Sequence, residues 1–153
     1  MLYWAHGFFR QGGGMTIREM AIDDYEAACA LWQECGGIGL SAQDDSREGI
    51  RRFLARNPRT CFVAEQDGRL AGTILCGHDG RRAHIYHAAV GASFRRQGIG
   101  RALAERACAA LAGERITKAA LVAFADNADG NAFWESLGFS VRGDLTYRDR
   151  VLR

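Results

Sequence analysis

Apolar positions along the chain change period several times, and each change marks an element. Thr16 to Met20 alternates polar and apolar, which predicts a short first strand. After Asp23 the rhythm widens to Tyr25, Ala28, Leu31 and Trp32 and stops at Gly36-Gly37, the spacing and punctuation of a helix. A loop, GGIGLSAQDDS, leads to Ser46, a good N-cap for a second helix carrying Ile50, Phe53 and Leu54, and Asn57-Pro58 ends it. Three strands follow, separated by turns at Asp67-Gly68 and Asp79-Gly80.

From Gly98 to Leu111 the helical period returns, with Ile99, Leu103, Ala107, Ala110 and Leu111 on one face. KAALVAFA reads as a buried strand, Asn127 to Leu137 as a fourth helix, and Gly138-Phe139 as the entry to a last strand or hairpin ending near Tyr147. The order β-α-α-β-β-β-α-β-α-β places antiparallel hairpins before a β-α-β crossover. A mixed α/β domain over residues 15–153 is expected. Its parallel strands are the one ending at Val90 and the one ending near Ala125.

Composition narrows the class. Of 153 residues, 48% are hydrophobic and 25% charged, enough for one real core, and the net charge of +2 does not suggest a nucleic-acid surface. No apolar run approaches the roughly 20 residues of a membrane span. Cysteines 29, 35, 61, 76 and 108 form no C-x-x-C pair, and the four histidines have no metal-binding spacing. Buried thiols of a cytoplasmic protein are expected, with no metal. Residues 1–14 read as an extension, an upstream misassigned start or a cloning remnant, whose Tyr3, Trp4, Phe8 and Phe9 could pack on a neighbouring surface.

Charge is concentrated where helices usually reject it. SFRRQGIGRAL sets Arg95, Arg96 and Arg101 at the mouth of a helix, whose first N–H groups already carry partial positive charge. Gly98 and Gly100 allow close backbone approach, so the loop can cradle a pyrophosphate. Taken alone, it also fits a surface turn with solvated arginines. A Rossmann fingerprint is excluded because the glycines follow the fourth strand, and a Walker loop because Gly-Lys-Ser/Thr is absent.

HAAVGASFRRQGIGRALAERA resembles the acetyl-CoA motif of the GNAT superfamily of N-acyltransferases, Q/R-x-x-G-x-G/A, filled here by Arg95, Gly98 and Gly100. NADGNAFWESLGF resembles a second motif of that family at Asn127, Gly138 and Phe139, with Gly130 in place of Ala and Trp134 in place of Tyr. The resemblance covers Thr16 to about Tyr147. It implies a sheet of six or seven strands flanked by four helices, whose parallel pair splays apart to admit acetyl-CoA.

It further implies cofactor contacts from Ala88, Ala89 and Val90, from Arg95, Arg96, Gln97, Gly98, Ile99, Gly100 and Arg101, and from Asn127 and Trp134. The Val90 N–H would polarise the thioester. The expected activity is transfer of acetyl from acetyl-CoA to a primary amine of a small molecule, by direct attack in a ternary complex. A protein N-terminal or lysine acetyltransferase and a non-catalytic acyl-CoA sensor are the alternatives. A homodimer is implied, with no nucleic-acid or membrane partner.

For proton removal, strand alternation sets His84, Tyr86 and Ala88 on one face, and Ile85, His87 and Ala89 on the other. In some relatives, histidines occupy the positions of His84 and Tyr86, so His84 is the expected base. A structural histidine fits the same position. Trp134 has no acidic proton for the leaving thiolate, and Tyr147 is the weak substitute. Asp44 and Asp45 could attract an ammonium or simply favour a helix start, and Arg47, Arg51 and Arg52 read as a solvated face or a site for an acidic substrate.

Overall fold

The computed structural model describes residues 14–152. The expectations for residues 1–13 therefore lie outside the described residues. The chain divides after Val122 into two units, which are taken in turn.

In the first unit, β1 (Thr16–Glu19), β2 (Phe62–Gln66), β3 (Arg69–His78), β4 (Ala83–Val90) and β5 (Ala119–Ala120) form one sheet in chain order. The first three pairings are antiparallel and β4–β5 is parallel, as a β-α-β crossover requires. Asp67 and Gly68 both have positive φ, 52° and 73°, which gives the β2–β3 hairpin a turn matched to strand twist. At the β3–β4 turn the Asp79 carboxylate accepts the N–H groups of Arg81 and Arg82, both at 2.7 Å.

Alternation along β2 and β3 divides the core between two helical layers. Cys61, Val63 and Leu75 pack with Leu31 and Trp32 of α1 (Tyr25–Cys35) and with Ile50 and Leu54 of α2 (Arg47–Arg56). Ser46 caps α2 as expected, its hydroxyl accepting from the Gly49 N–H at 3.0 Å. Phe62, on the alternate face, carries Arg106 of α3 (Ile99–Gly113) over its ring at 4.7 Å. Gly72 is required on that face: a Cβ there would lie 2.9 Å from the Leu103 side chain of α3.

The alternation expected for β4 does not hold. Thr73 faces Ala89 and Leu75 faces Tyr86, so two residues of β4, His87 and Ala88, lie opposite one residue of β3. This is a β-bulge, and His87 takes the left-handed conformation, φ 48°. Tyr86 and Ala89, three positions apart, therefore share the α1–α2 face, and Ala89 does not keep the opposite side from His84 and Tyr86. The bulge is held from the core. The Trp32 indole N–H donates to the Thr73 hydroxyl at 2.9 Å, and that hydroxyl donates to the His87 carbonyl at 2.7 Å.

Among the described residues the sheet has five strands, not six or seven, and four helices longer than a single turn. The KAALVAFA run pairs only at Ala119 and Ala120, and Val122 is 60% exposed. The β4–β5 ladder ends at His84, leaving β4 from Ile85 to Val90 without a parallel partner.

The second unit holds α4 (Ala128–Ser136). The strand expected toward Tyr147 does not form. Val141, Leu145 and Tyr147 are all exposed, so no buried face sets a register, and Arg142 pairs locally with Asp144 at 2.7 Å.

Thr73 is 1% exposed, and replacing it with Val removes the partner of one buried N–H and one buried carbonyl. Thr73→Val should cost about 2–4 kcal/mol, since each orphaned buried group costs about 1–3 kcal/mol. Urea denaturation checks it; a loss of under about 0.5 kcal/mol would show that the bulge does not depend on this hydroxyl.

Candidate active site

β4 carries chemistry on two sides. On its edge, Gly91 N–H bonds to the Ala71 carbonyl at 2.9 Å, which makes the opposed residues 71 and 91 a hydrogen-bonded pair. The neighbouring Gly72–Val90 pair is then non-hydrogen-bonded, so the N–H and carbonyl of Val90 point away from β3. Among the described residues no ladder continues along that edge, and the Val90 carbonyl accepts from Arg95 Nε at 3.2 Å and Cys35 Sγ at 3.5 Å. The Val90 N–H is directed to the side where a ligand strand can lie.

The arginine loop follows. Phe94 and Ile99, 8% and 1% exposed, anchor its two ends in the core, while Arg95, Arg96, Gln97 and Gly98 between them are exposed. Gly98 is left-handed, φ 79°, at the N-cap of α3, and Arg96 is left-handed too, φ 61°. The first intrahelical bond runs from the Ala102 N–H to the Gly98 carbonyl, so the N–H groups of residues 98–101 have no helical acceptor. A Cβ built on Gly98 meets nothing within 4 Å. The loop thus presents helix N–H groups, a glycine with open space above it, and the guanidiniums of Arg95, Arg96 and Arg101. These residues fit a pyrophosphate. Arg101 makes one distant contact to Glu105, at 3.7 Å, and Gln97 accepts from Gln66 at 3.0 Å.

On its face, β4 borders a cleft of about 360 Å³ lined by Asp44, Asp45, Ile50, Arg52, Phe53, Arg56, Leu75, Tyr86 and His87. Tyr86 packs edge-on to Phe53 with ring centroids 5.7 Å apart. The bulge brings His87 into this same cleft. Its Nε2 is bonded to the Asp45 carboxylate, its ring stands edge-on to Trp32 at 4.5 Å, and its side chain is 11% exposed. Asp45 also accepts the Ser41 N–H at 2.6 Å, and its carbonyl accepts the Tyr25 hydroxyl at 2.8 Å, so the α1–α2 loop is fixed in place.

His84 is half-buried, its ring 4.5 Å from that of Tyr86, and burial pushes its pKa below the ordinary histidine value. Sequence reasoning singled out His84 and Tyr86 but set His87 aside. The signal was present in two adjacent polar residues, Tyr86-His87, which break the alternation of β4.

Asn127 and Trp134 belong to the second unit. Asn127 caps α4, its side-chain oxygen accepting from the Gly130 N–H at 3.0 Å. A Cβ at Gly130 would lie 2.6 Å from the Asn127 amide nitrogen, so the glycine at this motif position goes with a tightly folded cap. Trp134 packs edge-on between Phe133, at 5.0 Å, and Phe139, at 5.1 Å.

A family model described as the acetyltransferase (GNAT) family matches residues 15–139. An acetyltransferase of Pectobacterium atrosepticum is 31% identical over 138 residues, covering 90% of this chain and 96% of that protein. The solved PaiA N-acetyltransferase of Thermoplasma acidophilum, in complex with coenzyme A, aligns with a TM-score of 0.74 at 19% identity. That alignment covers 84% of this chain and 91% of that one, and shows a shared fold. A ribosomal-protein-alanine N-acetyltransferase of Escherichia coli aligns with a TM-score of 0.67 at 26% identity, over 83% of this chain and 78% of that one. Both sequence motifs and the geometry of β4 and its loop thus meet in one family: the chain belongs to the GNAT acetyltransferases and is an acetyl-transferring enzyme.

Proposed function

We propose that the enzyme transfers acetyl from acetyl-CoA to a primary amine of a small molecule, by direct attack within a ternary complex. One observation carries this reading. The same stretch of β4 turns the Val90 N–H toward an edge with no strand partner among the described residues and lines, through Tyr86 and His87, a half-open cleft of small-molecule size. The loop residues Arg95 to Arg101 would hold the pyrophosphate, mainly by backbone N–H groups, and Ala88 and Ala89 would border the pantetheine arm. The cofactor supplies an acetyl thioester, and the Val90 N–H would donate to its oxygen as negative charge develops there.

An amine attacks only when neutral. His84 and His87 are the two imidazoles able to take its proton. Burial depresses the His84 pKa, which favours the neutral form that can accept a proton. His87 is oriented by Asp45: the carboxylate accepts from Nε2–H, which leaves the lone pair of the neutral ring on Nδ1. Tyr86 stands between them on the strand. The tyrosine position of the second motif holds Trp134, so the thiolate leaves without a proton from that residue.

An acceptor presented by a protein N-terminus or lysine uses the same chemistry and is an outcome of the test. Thiol release from acetyl-CoA across matched panels of small amines and peptides separates them. Rates at least about 10-fold higher on peptides would overturn the small-molecule reading.

Gly98→Val forces a β-branched residue into the left-handed region at a strain of about 1–2 kcal/mol. Coenzyme A affinity should therefore fall about 10-fold by calorimetry, with the far-UV spectrum unchanged. Equal affinity would reduce the loop to a surface turn.

The kcat/KM profile decides between the imidazoles. A depressed pKa keeps His84 competent as a base to lower pH, so activity that depends on it is lost only as pH falls through a value below about 6.5. His84→Gln should lower turnover by about 100-fold and remove that acid limb, with coenzyme A affinity unchanged. If His84→Gln keeps full turnover and His87→Gln loses it, the proton goes to the Asp45-held ring.

A further inference from the structure

Helix α2 carries four arginines, and the structure divides them into two kinds. Arg47 is paired with Glu26 at 2.6 Å and lies 3.9 Å from Asp23, and Arg51 bonds to Glu48 through Nε at 3.0 Å. Arg52 and Arg56 have no acidic partner among the described residues. They stand four positions apart on one stripe of the helix, where like charges repel. Both line the cleft that His87 and Tyr86 border. An anion entering the cleft would relieve that repulsion.

The rest of the lining is equally ordered. Asp44 and Asp45 lie just before the start of α2, Ile50 and Phe53 lie along it, and Leu75 and Tyr86 come from the sheet. At 1.5 Å per residue, Arg52 lies about 8 Å and Arg56 about 14 Å along α2 from its first residue, Arg47. The cleft therefore runs from an acidic end, which suits an ammonium, over apolar side chains to a basic side.

We propose that the acceptor is a small amine that also carries a carboxylate, of the class of free amino acids, and that Arg52 and Arg56 bind this carboxylate. The proposal rests on the acetyl-transfer function above. Two guanidiniums favour a planar carboxylate through paired N–H donors. A polycationic amine meets repulsion at the same wall. A phosphorylated amine shares the anionic chemistry, and the test separates the two.

The experiment measures thiol release from acetyl-CoA with three amines of one apolar body, ending in a carboxylate, its neutral amide or a phosphate monoester. Wild type is compared with Arg52→Gln, Arg56→Gln and the double variant; both positions are exposed, so the fold should be kept. The expected result is a KM at least about 10-fold lower for the carboxylate than for the amide, with kcat similar. That preference should fall about 3-fold in each variant and vanish in the double one. Equal KM for carboxylate and amide in wild type overturns the proposal, as do variants that weaken both amines alike. A preference for the phosphate monoester over the carboxylate overturns the carboxylate assignment. Acetylation of the amide at full efficiency leaves the acetyl-transfer reading standing while removing this one; no release from any of the three, with coenzyme A still bound, removes the small-molecule reading itself.

Discussion

A single extra residue in β4 governs the site. Because His87 and Ala88 together oppose one residue of β3, the strand before the bulge is shifted by one position relative to the strand after it. Leu75 consequently faces Tyr86 rather than His87, and two adjacent side chains, Tyr86 and His87, reach one cleft. Downstream, Ala89 returns to the core and Val90 turns its polar groups off the sheet. An unbroken strand would have to give up one of these. The left-handed backbone at His87 is unfavourable for a side-chain-bearing residue and persists because the Thr73 hydroxyl, itself held by the Trp32 indole N–H, donates to its carbonyl from inside a close-packed core.

The arginine loop solves a different problem, that of holding positive charge beside a helix N-terminus. Its ends are fixed by burial, Phe94 under the side chain of Arg69 at 5.2 Å and Ile99 deep against the sheet. The backbone between then keeps two left-handed residues, with the Arg95 side chain tied back to the Val90 carbonyl at 3.2 Å. The cost of clustering arginines there is relieved when an anion arrives, which is the sign of interaction a binding loop needs.

Much of this was legible in the chain. Asp67-Gly68 announced a primed turn and formed one, Ser46 announced a cap and made it, and the glycine spacing at 98 and 100 placed the loop on the right helix. The bulge was not legible, because it is fixed by a bond between residues 14 positions apart in sequence. Thr73, the polar residue in the apolar run AGTILC, was its local trace. The strand count failed where apolar residues had no partner to bury against, as at Val122 and Val141. The division of the arginines was hidden for the same reason, since Arg47 finds its acids on other elements, at Glu26 and Asp23, and Arg52 and Arg56 find none among the described residues.

Asp45 then ties the loop between α1 and α2 to β4. Its carboxylate holds His87, its other oxygen takes the Ser41 N–H, and its carbonyl takes the Tyr25 hydroxyl from α1. The loop between α1 and α2 is therefore not an independent flap over the cleft. Any acceptor that displaced it would also free the imidazole and remove a carboxylate from a half-enclosed site, where charge interactions are stronger than in water. Ligand fit at the loop and the orientation of the His87 ring are consequently one property: a ligand that leaves Asp45 in place meets an oriented ring, and one that displaces it meets a ring without that partner.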